Sequence, residues 1–174
     1  MLPLFGHKVV QAGLQSGTIM SVADLATQCC LGGDQRLPSM IDWDRTLRWS
    51  VAGLLLHGPY FFLGFSRLDA VFGAATHWST VAKKTVTAQL VLFPPYLTLL
   101  FSYMAVAEGQ RSLTHVAEKV QQKVPQAFLG GSVFWPIVNA INFTFVTQTF
   151  RMPFLAACGA VWNSYLSWAN ARKN

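Results

Sequence analysis

Two asparagines, Asn139 and Asn142, stand inside the apolar run WPIVNAINFTFVTQTFR from Trp135 to Arg151, where a carboxamide has no water to bond. An unpaired amide costs on the order of 1–3 kcal/mol, so both must face other helices or a watery passage. At about 100° per residue, Trp135, Asn139, Asn142, Val146 and Thr149 fall within roughly a quarter of a helix circumference. This stripe supports two readings: hydrogen-bonding glue between helices, or the lining of a solute path. Pro136 suits the first turn of its helix, where no N–H donor is needed. A carboxylate makes a stronger demand. Asp24, with Gln28 one turn further on, carries an insertion cost of about 2.5–3.5 kcal/mol and requires a partner. His57 is the partner that the pattern offers, and Gln89 and Tyr96 place an amide and a phenol in another apolar run. Such a set can bind, orient or pass polar solutes. It contains no GxSxG, no HExxH and no paired acids, so the expectation is a protein that is not an enzyme, with no cofactor and no metal.

The elements that must hold these residues are membrane helices. Of 174 residues, 52% are hydrophobic and 11% charged, against about 25% charged in an average soluble domain. The length accommodates four spans of about 20 residues with short loops. The expected fold is therefore all-α: a single-domain integral membrane bundle of about four transmembrane helices near 13–31, 47–68, 84–107 and 128–150. An amphipathic surface helix over 112–124, with Leu113, Val116, Val120 and Val124 on its apolar side, precedes the last span. Five spans are an alternative count, because a second apolar run, from Phe154 to Trp168, follows the first.

Several features shape those spans. Gly13, Gly17 and Ser21 form a small-xxx-small seam on the first. On the second, Gly53, His57, Tyr60, Gly64 and Arg67 share a face, and Gly58-Pro59 should kink or unwind its middle. A polar turn from Gly32 to Asp44 precedes it, and a polar loop from Asp69 to Lys84 follows it. On the third, Thr85, Gln89, Leu92, Tyr96, Leu99 and Tyr103 share a face, which Pro94-Pro95 should break near its centre. Glu108-Gly109 is the expected stop. Trp162, Tyr165 and Trp168 on a terminal helix suit a membrane interface.

The net charge of +6 is dispersed in ones and twos, which fits anionic head groups and argues against direct nucleic-acid binding. Cys29, Cys30 and Cys158 form no CxxC motif and read as small apolar residues. The sequon Asn142-Phe143-Thr144 lies inside an apolar helix, which argues against its use. No cleavable signal peptide is expected from Met1 to Gln11, which has one fixed positive charge, Lys8, and no long apolar core.

Ala23-Asp24 with Gln28, Arg45-Thr46-Leu47, Gly58-Pro59, Leu68-Asp69, Lys83-Lys84, Trp135-Pro136, Asn142-Phe143, Arg151 and the closing WNSYLSW from Trp162 to Trp168 recur in order over nearly the whole chain. Together they resemble the Mpv-seventeen and PMP-twenty-two family of small mitochondrial and peroxisomal membrane proteins, and the closing motif resembles its mitochondrial inner-membrane branch. The resemblance implies a four-span channel or pore for small solutes or metabolites, in the inner mitochondrial membrane or, as the alternative, the peroxisomal membrane. It also implies a link to mitochondrial DNA maintenance through metabolite supply. The partners it implies are the lipid bilayer and small-molecule solutes, with a homo-oligomer compatible; a non-conducting scaffold of the same membrane is the competing reading. On this resemblance Asp24, Gln28, His57, Gln89, Tyr96, Trp135, Asn139 and Asn142 line the pore or polar interior. Gly58, Pro59, Pro94, Pro136, Phe143, Arg151 and Trp162 serve structure. Where the family usually has Asp-Gln in its third span this chain has Ala88-Gln89, which leaves Asp24 as the principal acid.

Overall fold

Backbone that has no water to bond must satisfy its own N–H and C=O groups, which long apolar runs achieve as helices. The computed structural model describes residues 2–31, 41–73 and 77–171, apart from the side chains of 2–5, 30–31 and 163–171. Among the described residues it contains helices and no strands. The α-helices are α1 (Leu2–Leu31), α2 (Trp43–Val51), α3 (Gly58–Phe72), α4 (Trp78–Thr87), α5 (Phe93–Ala107), α6 (Leu113–Phe145) and α7 (Arg151–Ala171). Two π-helical segments, Ala52–His57 and Ala88–Leu92, link α2 to α3 and α4 to α5, and Gln148–Phe150 is a 3-10 turn. The chain forms two compact units, one of residues 1–58 and 152–174, the other of residues 59–151.

Pro94-Pro95 does not break its helix as expected, and the local unwinding expected at Gly58-Pro59 takes the form of a π segment. Proline lacks an N–H and its ring clashes with the carbonyl four residues earlier. Those carbonyls belong to Leu55 for Pro59, and to Leu90 and Val91 for Pro94 and Pro95, and all three lie inside the π segments. Each helix widens at that turn and continues. A π turn also inserts one residue into the helical count, and the buried face moves by one position in both places. Beyond His57 the buried residues are Phe61, Phe65 and Leu68, not Tyr60, Gly64 and Arg67. Beyond Gln89, up to the end of α5, they are Phe93, Tyr96, Leu100, Met104 and Ala105; Leu92 and Tyr103 are half-buried, and Leu99 is 48% exposed.

Other boundaries also differ from expectation. The loop proposed between Asp69 and Lys84 shrinks, because α3 runs to Phe72 and α4 begins at Trp78, so both charged residues sit on helices. Residues 74–76 of that loop, and 32–40 of the turn before α2, lie outside the described residues, as do the side chains of Cys30 and of Asn163 to Trp168. α5 stops at Ala107, where Gly109 takes φ +93°, a left-handed conformation open to glycine. The surface helix and the last span are one continuous α6. Pro125 and Pro136 are therefore inside a helix, and Pro136 is not in a first turn. Val146 is extended, so Val146 and Thr149 leave the stripe that Trp135, Asn139 and Asn142 begin.

Trp78–Ala107 and Leu113–Phe145 are each long and apolar enough to cross a membrane. Their outward residues include Leu90, Val91 and Val106 on the first and Leu129, Val133, Ile137 and Phe145 on the second, all more than half exposed. That is the surface a lipid-facing helix needs, and the chain is an all-α membrane protein.

In the first unit, α1 packs on α2 and the π segment after it through the small-residue seam. A Cβ on Gly13 would lie 2.5 Å from the Leu54 carbonyl oxygen, and one on Gly53 would lie 2.7 Å from the Gly17 Cα. A Cβ on Gly58 would lie 2.4 Å from the Ala12 carbonyl oxygen. Backbone cannot yield as a flexible side chain does, so Gly53→Ala should cost about 1–3 kcal/mol by overpacking. Gly6, with nothing within 4 Å, is the control; Gly6→Ala should be neutral or slightly stabilising. Thermal unfolding of both variants in detergent, followed by circular dichroism, checks the contrast.

Candidate functional site

The polar side chains of the second unit gather where α3, α4, α6 and the first residue of α7 supply one charge cluster. Asp69, near the end of α3, accepts from Lys84 Nζ at 2.7 Å on one oxygen and from Arg151 NH1 at 2.6 Å on the other. Two cations thus share one carboxylate. The Lys84 side chain is fully buried, Arg151 is 8% exposed and Asp69 15%. Phe143, from α6, lies beneath both: its ring centroid is 5.5 Å from Lys84 Nζ and 5.2 Å from Arg151 Cζ, so the electron-rich face stabilises positive charge. Arg151 also donates through Nε to the Val146 carbonyl, at 3.4 Å, closing the turn after α6.

Beside this cluster stand amides and a hydroxyl that the protein itself leaves unanswered. Asn139 and Asn142 are completely buried, and neither the nitrogen nor the oxygen of either carboxamide has a hydrogen-bond partner. Thr85, next to Lys84, has a buried Oγ1 in the same condition. Gln89 gives its Nε2 to Ser132 Oγ at 3.3 Å, while its Oε1 is unpartnered. All four residues are on α4, the following π segment or α6, which pack together. Tyr96 and Trp135 both take part in an aromatic group. Tyr96 is 4.6 Å from Phe61, and Trp135 is 5.2 Å from Phe93, centroid to centroid. Tyr60 donates to the Leu92 carbonyl at 2.8 Å, across to the π segment.

Asp24 and Gln28 belong to a different network, in the first unit. Asp24 accepts from Arg45 Nε at 2.8 Å, Thr46 Oγ1 at 2.8 Å and Gln28 Nε2 at 2.7 Å. Gln28 in turn accepts from the Asp42 N–H at 2.8 Å, and Asp42 caps α2 through the Arg45 N–H. The carboxylate therefore clamps the end of α1 to the start of α2. His57 is not its partner, as the sequence suggested; it bonds Ser16 at 3.2 Å. α1 and α2 run antiparallel, and Ser16 lies eight residues, about 12 Å, before Asp24 along α1.

Of the residues predicted to line a polar interior, Asn139, Asn142 and Gln89 are together in the second unit, while Asp24, Gln28 and His57 are in the first. Asp69 and Lys84 were missed as site residues, and Arg151 was assigned to structure. An ionisable residue flanking an apolar run was a signal for each, but Asp69 and Arg151 are 82 positions apart, and only folding pairs them. Asp69→Ala should cost about 3–5 kcal/mol, because it strands buried Lys84 without a counter-charge. Asp24→Ala should cost less, since Arg45 is 40% exposed and can turn to water. Chemical denaturation in micelles gives the order; equal losses contradict it.

Comparisons with known proteins identify relatives of this chain. The profile of the Mpv17 / PMP22 family matches residues 105–167. The chain is 29% identical to "PXMP2/4 family protein 4" of Dictyostelium discoideum, over 97% of this chain and 89% of that protein. It is 30% identical to "Protein SYM1" of Eremothecium gossypii, over 73% and 71%, and 26% identical to "Mitochondrial inner membrane protein Mpv17" of Drosophila melanogaster, over 89% and 91%. No solved structure matches the chain. Sequence motifs, an all-helical membrane fold and relatives aligned over most of their length together place this chain in the Mpv17 / PMP22 family.

Proposed function

We propose that this protein is a pore for small solutes in the inner mitochondrial membrane. The observation that carries the reading is the set of fully buried, unpartnered amides at Asn139 and Asn142. A group that serves only as interhelical glue is bonded to another helix; groups left unbonded cost stability and persist where they meet something that passes. Thr85 and Gln89 extend the same lining along α4 and the following π segment. The family membership and the name of the Drosophila relative support the membrane assignment. We take the two long apolar helical runs, together with α1 and the run from Trp43 to Phe72, as four crossings. In this reading the protein does no chemistry on its solutes, and support of mitochondrial DNA follows from the metabolites it admits.

The same side chains read as glue would make a non-conducting scaffold, and one pair of variants separates the two. Leucine has the same branched four-heavy-atom side-chain shape as asparagine and no unmet hydrogen bond. As lining, Asn139→Leu and Asn142→Leu should leave stability unchanged or raise it by about 1–3 kcal/mol while reducing size-selective flux from liposomes. As glue, they should lower stability, and the wild-type protein should leave vesicles tight. Solute efflux and thermal unfolding on the same preparations decide.

A further inference from the structure

Asp69 carries one negative charge, and Lys84 and Arg151 carry two positive charges, all of them inside the second unit. Among the described residues no other carboxylate lies within 4.0 Å of either cation. A net positive charge in a site this dry is expensive, and Phe143 offsets part of it through its ring faces. Each cation also retains N–H donors beyond those given to Asp69, because an ammonium has three and a guanidinium five. The unpartnered Thr85 hydroxyl follows Lys84 in the chain, and the unpartnered Asn142 amide precedes Phe143. Cations with spare donors, on the same packed helices as buried neutral polar groups that have no partner, are what a small oxyanion requires.

We propose that Lys84 and Arg151, with Thr85 and Asn142, form a binding site for a small oxyanion, a phosphate or carboxylate, and that this is the class of solute the pore admits. Asp69 already holds the place of such a ligand: it is a carboxylate bridging both cations, and it is the most exposed of the three. An incoming oxyanion either joins Asp69 or displaces it. The proposal rests on the pore reading for its solute class, while the site itself can be tested without transport.

The test uses the full chain purified in phospholipid-free detergent. Inorganic phosphate, or succinate as the carboxylate probe, is compared with chloride at equal ionic strength. At about a hundredfold excess over the Kd, a bound oxyanion should raise the unfolding midpoint by about 5–10 °C. Lys84→Met leaves Asp69 and Arg151 as a neutral pair and should abolish the gain. Lys83→Met removes the same charge from an exposed neighbour and should keep it. Equal gains in wild type and Lys84→Met, or no gain over chloride, overturn the site; if Lys84→Met does not fold, the wild-type comparison decides alone. Repeating the titration in nanodiscs with and without anionic lipid separates the sources. A phosphate effect that survives anionic lipid identifies a free solute; one that such lipid removes identifies a headgroup as the bound oxyanion and overturns the solute claim. In liposomes, tight vesicles with phosphate stabilisation remove the pore and keep the site. Flux that is equal for anionic and cationic solutes, with no phosphate stabilisation, removes the site and keeps the pore.

Discussion

One carboxylate shared by two buried cations ties the second unit together. Asp69 comes from the end of α3, Lys84 from the middle of α4 and Arg151 from the start of α7, and all three meet beside Phe143 of α6. None of these groups could be buried alone. The desolvation of Lys84 is tolerable because Asp69 and the Phe143 ring face it, and Arg151 is held by the same two neighbours and by the Val146 carbonyl. The cluster is thus a structural joint and, because its charges do not cancel, also a source of positive potential within the unit.

The first unit solves a different problem by different means. Its helices approach closely because glycines leave room for backbone, and polar pairs at successive levels fix the register: Ser16 with His57, Ser21 with Ser50, Asp24 with Thr46 and Arg45, Gln28 with Asp42. Both oxygens of Asp24 and both polar atoms of the Gln28 amide have partners. The amides of Asn139 and Asn142 do not. That contrast between satisfied and unsatisfied polar groups separates a clamp from a lining, although the residue types are similar.

The prolines connect local chemistry to this arrangement. The turns that contain Pro59 and Pro94-Pro95 are each accommodated by a π segment one turn earlier, and the inserted residue turns the following face by one position. Phe61, Phe65 and Phe93 enter the aromatic group for that reason, Tyr96 joins them from the face already expected, and Tyr60 and Gly64 are left to contact Leu92. A regular helix through the same sequence would bury Tyr60, Gly64 and Arg67 instead.

By itself the sequence determined the class of fold, the long apolar runs, the family and the polarity of the last span, because hydrophobicity, helical period and ordered motifs are properties of neighbours along the chain. It pointed correctly to the small-residue seam, to the burial of Asn139 and Asn142 and to the need of Asp24 for a partner. It did not reveal that the partner is Arg45, that Asp69, Lys84 and Arg151 are one cluster, or that two π turns shift the buried faces. Those features were decided by tertiary structure. An ion pair spanning 82 residues depends on how helices meet in space, and a π turn forms when the cost of proline's missing N–H and ring clash is balanced against the packing of everything beyond it.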